Sequence, residues 1–336
     1  MDTLVGFFVA DWLGKPVWMW AAFLTIVLAL LAFDLGILHK EDKELGVRES
    51  LNLSVFYILI AMAFGGWVWW YMGPQPGMEY FTGYFIEKSL SIDNIFVISL
   101  IFGFFAIPRK YQYRALLWGI IAVIVLRGVM IGVGAALVQN FAWVLYIFAA
   151  FLIFTGIKML MGGEEETDLS KNKAIQWLRK RMRVSDEQHG DRFFVKKPDP
   201  KTGKLVLFAT PLFLALVVIN IADLVFAVDS VPAIFAITTD TFVVYTANIM
   251  AILGLRALYF ALAAMIARFH YLKYALAAVL ILIGSKIFIA DMLGLAKFPA
   301  WLSLTLTLGL IVSGVLYSLW KTRDDGKHGA KPQAAE

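Results

Sequence analysis

Long apolar runs recur along this chain with little between them. They lie at about 17–38, 51–72, 80–106, 113–138, 141–161, 207–237, 242–267, 271–291 and 300–320. A helix needs about 20 mostly apolar residues to cross a bilayer, and nine runs meet that length. The sequence therefore predicts an all-α membrane protein of about nine transmembrane helices. Composition agrees. The chain is 60% hydrophobic and 16% charged, where a soluble domain has about 45–50% and about 25%. The first run, from Val17 to Leu38, is long enough to span and follows an acidic and polar stretch, Asp11 to Lys15, so it does not read as a cleaved signal peptide. There is no cysteine, which excludes disulfides, thiolate metal sites and thiol nucleophiles.

A net charge of +5 could suggest nucleic acid. The basic residues instead sit in short loops, as membrane topology predicts. The partner expected is the lipid bilayer, with no nucleic acid. Lys40, Lys43 and Arg48 follow the first run, and Arg109, Lys110 and Arg114 the third. Arg179, Lys180, Arg181 and Arg183 lie after the fifth, Arg268 and Lys273 after the seventh, Lys321 and Arg323 after the ninth. The alternate loops carry no Lys or Arg except Lys297. This asymmetry predicts an outside N-terminus and a cytoplasmic C-terminus.

The domain reading is a transmembrane domain over 1–320, interrupted by a polar loop at 162–206, and a polar tail at 321–336. Within the loop, Lys171 to Arg183 sets Ile175, Leu178 and Met182 against a basic face. It suits a helix lying on the anionic inner leaflet, or equally a solvated one. Phe193 to Lys197, a Pro-Asp-Pro-Lys-Thr-Gly turn, then Leu205 to Leu207 reads as a β-hairpin.

Runs three to five resemble runs six to eight. Glu87-Lys88-Ser89-Leu90-Ser91-Ile92-Asp93-Asn94 aligns without gaps with Asp223-Leu224-Val225-Phe226-Ala227-Val228-Asp229-Ser230. Leu126-Arg127 matches Leu255-Arg256, and Gly156-Ile157-Lys158 matches Gly284-Ser285-Lys286. Each unit, about 80–161 and 207–291, holds three helices. An odd number makes the second copy inverted, so the fold expected has two inverted three-helix repeats. Secondary transporters share this arrangement, with the ion site near the midplane between copies.

The chemistry rests on buried acids. Asp93 and Asp229 sit well inside apolar runs, where a carboxylate costs about 2.5–3.5 kcal/mol on insertion scales. Glu87 and Asp223 lie one or two turns away, and Asp34 is nearer the cytoplasmic end of the first helix. Arg127 and Arg256 are candidate ion-pair partners, but the acids outnumber them. Glu87 and Asp93 are six apart, about 120° around a regular helix, so they do not share a face. Either different helices meet at the site or the helices break there. Pro232 allows a break in the sixth run, exposing the Val228 carbonyl, or an ordinary kink. The membrane interior offers carboxylates, Asn94, Asn220, Asn248, Ser230 and backbone carbonyls. Such oxygen donors suit Mg²⁺, Ca²⁺ or Mn²⁺ rather than Zn²⁺ or Cu⁺. Lys158 and Lys286, near helix ends, read as snorkelling residues.

At these motifs the chain resembles the TerC family of integral membrane proteins, in particular its Alx-type Mn²⁺ exporters. The strings that carry the resemblance are Phe33-Asp34-Leu35-Gly36, Glu87 to Asn94, Phe193 to Lys197, Asp223 to Ala236, and Ile252-Leu253-Gly254-Leu255-Arg256-Ala257. The resemblance implies Mn²⁺ efflux from a bacterial cytoplasm across the inner membrane. It also implies ligation by Glu87, Asp93, Asp223 and Asp229, and no cofactor beyond the transported ion. Asp34, Asn94, Asn220 and Ser230 complete the candidate ligands. Asn220 stands where relatives often have Glu, which keeps an oxygen ligand but drops a charge. Two other readings compete: an intramembrane aspartyl protease, though no Gly-x-Gly-Asp element is present, and a non-transporting factor for membrane-protein assembly.

Overall fold

The computed structural model describes residues 10–38, 46–141, 143–161, 182–185, 187–198, 205–262, 271–295 and 298–328. Within its helices, the side chains of residues 35–38, Asp93, Asp229 and 323–328 lie outside that description. A two-residue ribbon, β1 (Asp11–Trp12) with β2 (Lys15–Pro16), leads into α1 (Val17–Leu38). Then follow α2 (Val47–Met72), α3 (Pro74–Phe104), α4 (Arg109–Asn140) and α5 (Val144–Met161). After β3 (Phe194–Pro198) and β4 (Leu205–Ala209) come α6 (Pro211–Phe235), α7 (Thr241–Ile252), α8 (Leu255–Leu262), α9 (Leu272–Met292) and α10 (Ala300–His328). Among the described residues, eight helices are long and apolar enough to cross a membrane, with α7 and α8 counted as one span. The long helix α3 is not among them, because it carries Glu79, Glu87, Lys88 and Asp93. The protein is an all-α membrane protein.

Local sequence sets the helix starts. The first helix of each repeat opens on a proline, Pro74 in α3 and Pro211 in α6, where the missing N–H costs nothing. Thr210 caps α6 by accepting from Phe213 N at 3.3 Å. Asp240 caps α7 by accepting from Phe242 N at 3.1 Å and Val243 N at 3.3 Å.

Burial separates centre from rim. The Thr241–Leu262 span is 89% buried, against 17% for Ala300–Thr322. The central span is packed on all sides, while α10 and the outer faces of α1, α2 and α5 leave large apolar side chains exposed. Leu28, Trp70 and Phe154 are examples. A wall of this kind is solvated by lipid rather than water.

The central span is also the broken one. α7 ends at Ile252, Gly254 takes a left-handed φ of 81°, and the chain resumes as α8 at Leu255. The sequence predicts an unbroken run through this point and places a candidate break at Pro232 instead. α6 passes through Pro232 and ends at Phe235. Gly254 is required twice over. Its φ suits glycine, and a Cβ there would lie 2.7 Å from the Cβ of Tyr57 on α2.

The third helices of the two repeats, α5 and α9, pack through paired glycines. A Cβ on Gly156 would lie 2.8 Å from the Ala277 carbonyl oxygen, and one on Gly284 would lie 2.6 Å from that of Ala149. Gly156 also abuts Ile281, and Gly284 abuts Ile153. The contacts are reciprocal at one offset: Ala149, Ile153 and Gly156 answer to Ala277, Ile281 and Gly284. As one index rises the other falls, so the helices run antiparallel about a local two-fold axis.

The antiparallel pair β3–β4, with Phe194 opposite Ala209 and Pro198 opposite Leu205, adjoins the start of α6. Phe194 packs on Phe213 with ring centroids 4.5 Å apart. The helix expected over Lys171 to Arg183 lies outside the described residues, apart from Met182 and Arg183.

Candidate functional site

The site begins with a seven-residue spacing. Seven residues make almost two helical turns, so Glu87 and Asn94 share one stripe of α3, and Asp223 and Ser230 share the matching stripe of α6. The stripes face each other crosswise. Asn94 Nδ2 donates to Asp223 Oδ1 at 3.4 Å, and Ser230 and Glu87 share one guanidinium nitrogen, Nη1 of Arg127 on α4. Each repeat's acid therefore sits beside the other repeat's small polar residue.

Arg127 of α4 enters between them. Its Nη1 is ion-paired to Glu87, while Nε and Nη2 fork onto Asp223, each at 3.2 Å. The planar fork matches the carboxylate, as two parallel charge-assisted bonds require. Nη1 also donates to Ser230 Oγ and to Asn248 Oδ1, both at 3.2 Å. Asn248 of α7 closes the ring by donating from Nδ2 to Glu87 Oε2 at 3.0 Å. Glu87 and Arg127 are each 1% exposed. The cluster sets two carboxyl groups against one guanidinium in an apolar surround. A small cavity of about 20 Å³, lined by Asn94, Asp223 and the apolar Ile98, Leu116, Ile120 and Ile219, adjoins it.

Nearby, Lys88 Nζ donates to the Ala251 carbonyl at 3.1 Å. That carbonyl lies in the last turn of α7, where the break leaves acceptors without a helical donor. The cluster and the break are thus tied through one element of each repeat.

The remaining candidates go elsewhere. Asp34 pairs with Arg256, whose guanidinium carbon stands 4.1 Å over the Tyr113 ring. Tyr113 Oη in turn donates to the Asp34 carbonyl at 3.3 Å. Asp34 is therefore part of a second ion pair and is not brought to Arg127. Asn220 donates to the Leu216 carbonyl at 2.8 Å and lines an apolar groove with Trp118, Val125 and Leu224, also away from the cluster. The backbones of Asp93 and Asp229 lie in α3 and α6, each directly before a residue of the cluster. Their side chains are outside the described residues. Among the described residues, no three His, Cys, Asp or Glu groups converge as a metal-binding set.

Asn248, one of the interior oxygen donors read from the sequence, bridges Arg127 and Glu87. One residue differs from its sequence reading. Lys286 does not snorkel: it is 5% exposed and donates to Ser303 Oγ at 3.3 Å, while Lys158, its counterpart in the first repeat, is exposed.

Comparison with known proteins identifies the architecture. The model of the integral membrane protein TerC family matches residues 72–326, which takes in both repeats. A membrane protein of Rickettsia bellii (strain RML369-C) is 47% identical over 300 residues, covering 89% of this chain and 96% of the relative. One from Myxococcus xanthus is 41% identical over 310 residues, covering 92% and 94%. A protein of Escherichia coli (strain K12), named as a membrane-bound redox modulator, Alx, is 38% identical over 326 residues, covering 94% and 98%. No solved structure matches significantly. With a family model spanning most of the chain and relatives aligned nearly end to end, this multi-pass membrane protein belongs to the TerC family.

Proposed function

We propose that the chain exports Mn²⁺ from a bacterial cytoplasm across the inner membrane, in exchange for protons, with its N-terminus outside. The observation that carries this reading is the crosswise meeting of Glu87 and Asn94 with Asp223 and Ser230. It brings oxygen donors of two antiparallel repeats to one buried place. Buried acids in spanning helices mark ion paths, and oxygen donors without thiolate or imidazole favour Mn²⁺, Mg²⁺ or Ca²⁺. Asp93 and Asp229 immediately precede two members of the cluster and supply the carboxylates that Arg127 does not already hold.

In this scheme Arg127 is a tethered counter-charge. An arriving divalent cation competes with it for Glu87 and Asp223, which keeps affinity low enough for release. Ligation needs deprotonated carboxylates, so Mn²⁺ entry releases protons and the return step takes them up. The relatives' name of redox modulator fits an indirect route, since a chain without cysteine has no thiol couple of its own.

The test is flux through the purified protein in liposomes, with an internal pH dye and the voltage clamped. The expected result is Mn²⁺ movement accompanied by opposite proton movement. Absence of Mn²⁺ flux would overturn the transport reading. Flux with no pH change and no response to a pH gradient would leave a uniporter.

A further inference from the structure

A second polar chamber lies beyond the central cluster, lined by residues of both repeats. Its volume is about 290 Å³, and its polar lining includes Glu79, Thr82, Thr238, Lys286, Asp291 and Ser303. Its floor is buried: Glu79 and Lys286 are each 5% exposed. Its rim is open, with Thr239, Asp291 and Leu295 exposed.

Three helices place this chamber in series with the cluster. Along α3 the order is Glu87 in the cluster, Ile86 in an apolar layer, then Thr82 and Glu79 in the chamber. Along α6 it is Ser230, then Ala233 in the same layer, and just past the helix end Ala236, which belongs to the layer and also lines the chamber. α9 gives Ile283 to the layer and Lys286 to the chamber. Eight residues separate Glu79 from Glu87, a rise of about 12 Å. A thin apolar layer thus divides a buried acidic cluster from a chamber open on the far side.

The chamber's charges are held by neutral partners. Gln75 Nε2 donates to Glu79 Oε1 at 3.1 Å, and Lys286 donates to Ser303. Placing two opposite charges in a membrane domain without pairing them directly is costly and needs a use. With Asp291 the lining carries one net negative charge among hydroxyls. A hexahydrated cation needs about 180 Å³ at about 30 Å³ per water, so it fits.

We propose that this chamber is a release site for the hydrated divalent cation, attracted by Glu79 and Asp291 and kept weakly bound by the fixed ammonium of Lys286. It rests on the transport reading for its place in a path, but binding can be tested without transport. The Lys/Arg asymmetry puts the chamber on the outer side, since it is lined by the 238–239 loop and opens beside Leu295. Lys158, the counterpart of Lys286 in the first repeat, is exposed.

The chain has no cysteine, so Leu295→Cys carries a single nitroxide label at the rim of the full-length protein in detergent. Added Mn²⁺ should broaden the nitroxide spectrum saturably. Glu79→Gln should raise the half-saturating concentration at least tenfold, and Lys286→Gln should lower it at least threefold. No saturable broadening, or unchanged half-saturation in Glu79→Gln, overturns the proposal. If Glu79→Gln is not recovered folded, Lys286→Gln decides alone, with unchanged or weaker binding counting against the chamber. Flux in liposomes without rim broadening defeats the chamber and spares the transporter. Broadening without flux does the reverse.

Discussion

Arg127 is the residue on which the central cluster depends. Its guanidinium is the only cation bonded to Glu87 and Asp223 among the described residues, and all three are buried. Removing one partner of a buried ion pair typically costs about 3–5 kcal/mol, because the charge left behind cannot be solvated. Arg127→Met should therefore unfold at a clearly lower temperature in detergent than the parent. Arg127→Lys should lie between them, since one ammonium cannot reproduce the fork onto Asp223. A parental melting curve for Arg127→Met would show that the ion pairs carry no stability. Asp93 and Asp229, which directly precede Asn94 and Ser230 in the chain, lead to a different expectation. Asp93→Asn and Asp229→Asn preserve shape and remove charge, so each should fold normally and lose at least tenfold in Mn²⁺ flux. Under the proposed function, host cells lacking an Mn²⁺ exporter should gain Mn²⁺ tolerance from the parent chain and not from either variant. Full tolerance in both variants would remove these aspartates from the site.

At the scale of the element, the contact between α5 and α9 offers a symmetric test. A side chain at Gly284 meets the backbone of α5, which cannot rotate away, and one at Gly156 meets the backbone of α9. Overpacking of this kind costs about 1–3 kcal/mol. Gly156→Val and Gly284→Val should each lower thermal stability by similar amounts. Gly132→Val, where a Cβ meets nothing within 4 Å, should not. Unequal losses at Gly156 and Gly284 would contradict the reciprocal packing. The break between α7 and α8 has the same logic of close approach. It stands where Gly254 meets Tyr57 rather than at Pro232, because a proline near a helix's last turn removes a single bond whereas a left-handed residue ends the helix.

For the whole molecule, two copies of a three-helix unit in opposite orientation predict a definite path through the membrane. A reporter active only outside should be silent when fused near Lys180 and active near Thr239. The reverse pattern would reject the orientation. The three-helix count makes the copies inverted, and the antiparallel course of α5 and α9 agrees with that count. Pseudo-symmetry is nevertheless incomplete. Arg127 binds acids of both repeats, while its counterpart Arg256 pairs with Asp34 of α1, outside both repeats. Lys286 is buried where Lys158 is exposed. The two halves therefore differ in which charged side chains they bury.

Membrane class, the helical segments and the duplication were all legible in the sequence. Hydrocarbon imposes a length and an apolarity on every span, and those are properties of single segments. The seven-residue spacing of Glu87 with Asn94 and of Asp223 with Ser230 was also present in the chain. It became a site only through the crossing of α3 and α6. Which acid takes which arginine, the bridge made by Asn248, the break at Gly254 and the burial of Lys286 depended on neighbours distant in sequence. A polar side chain in an apolar run announces that it needs a partner, but the partner is chosen by packing between helices, and that is settled only when the chain has closed on itself.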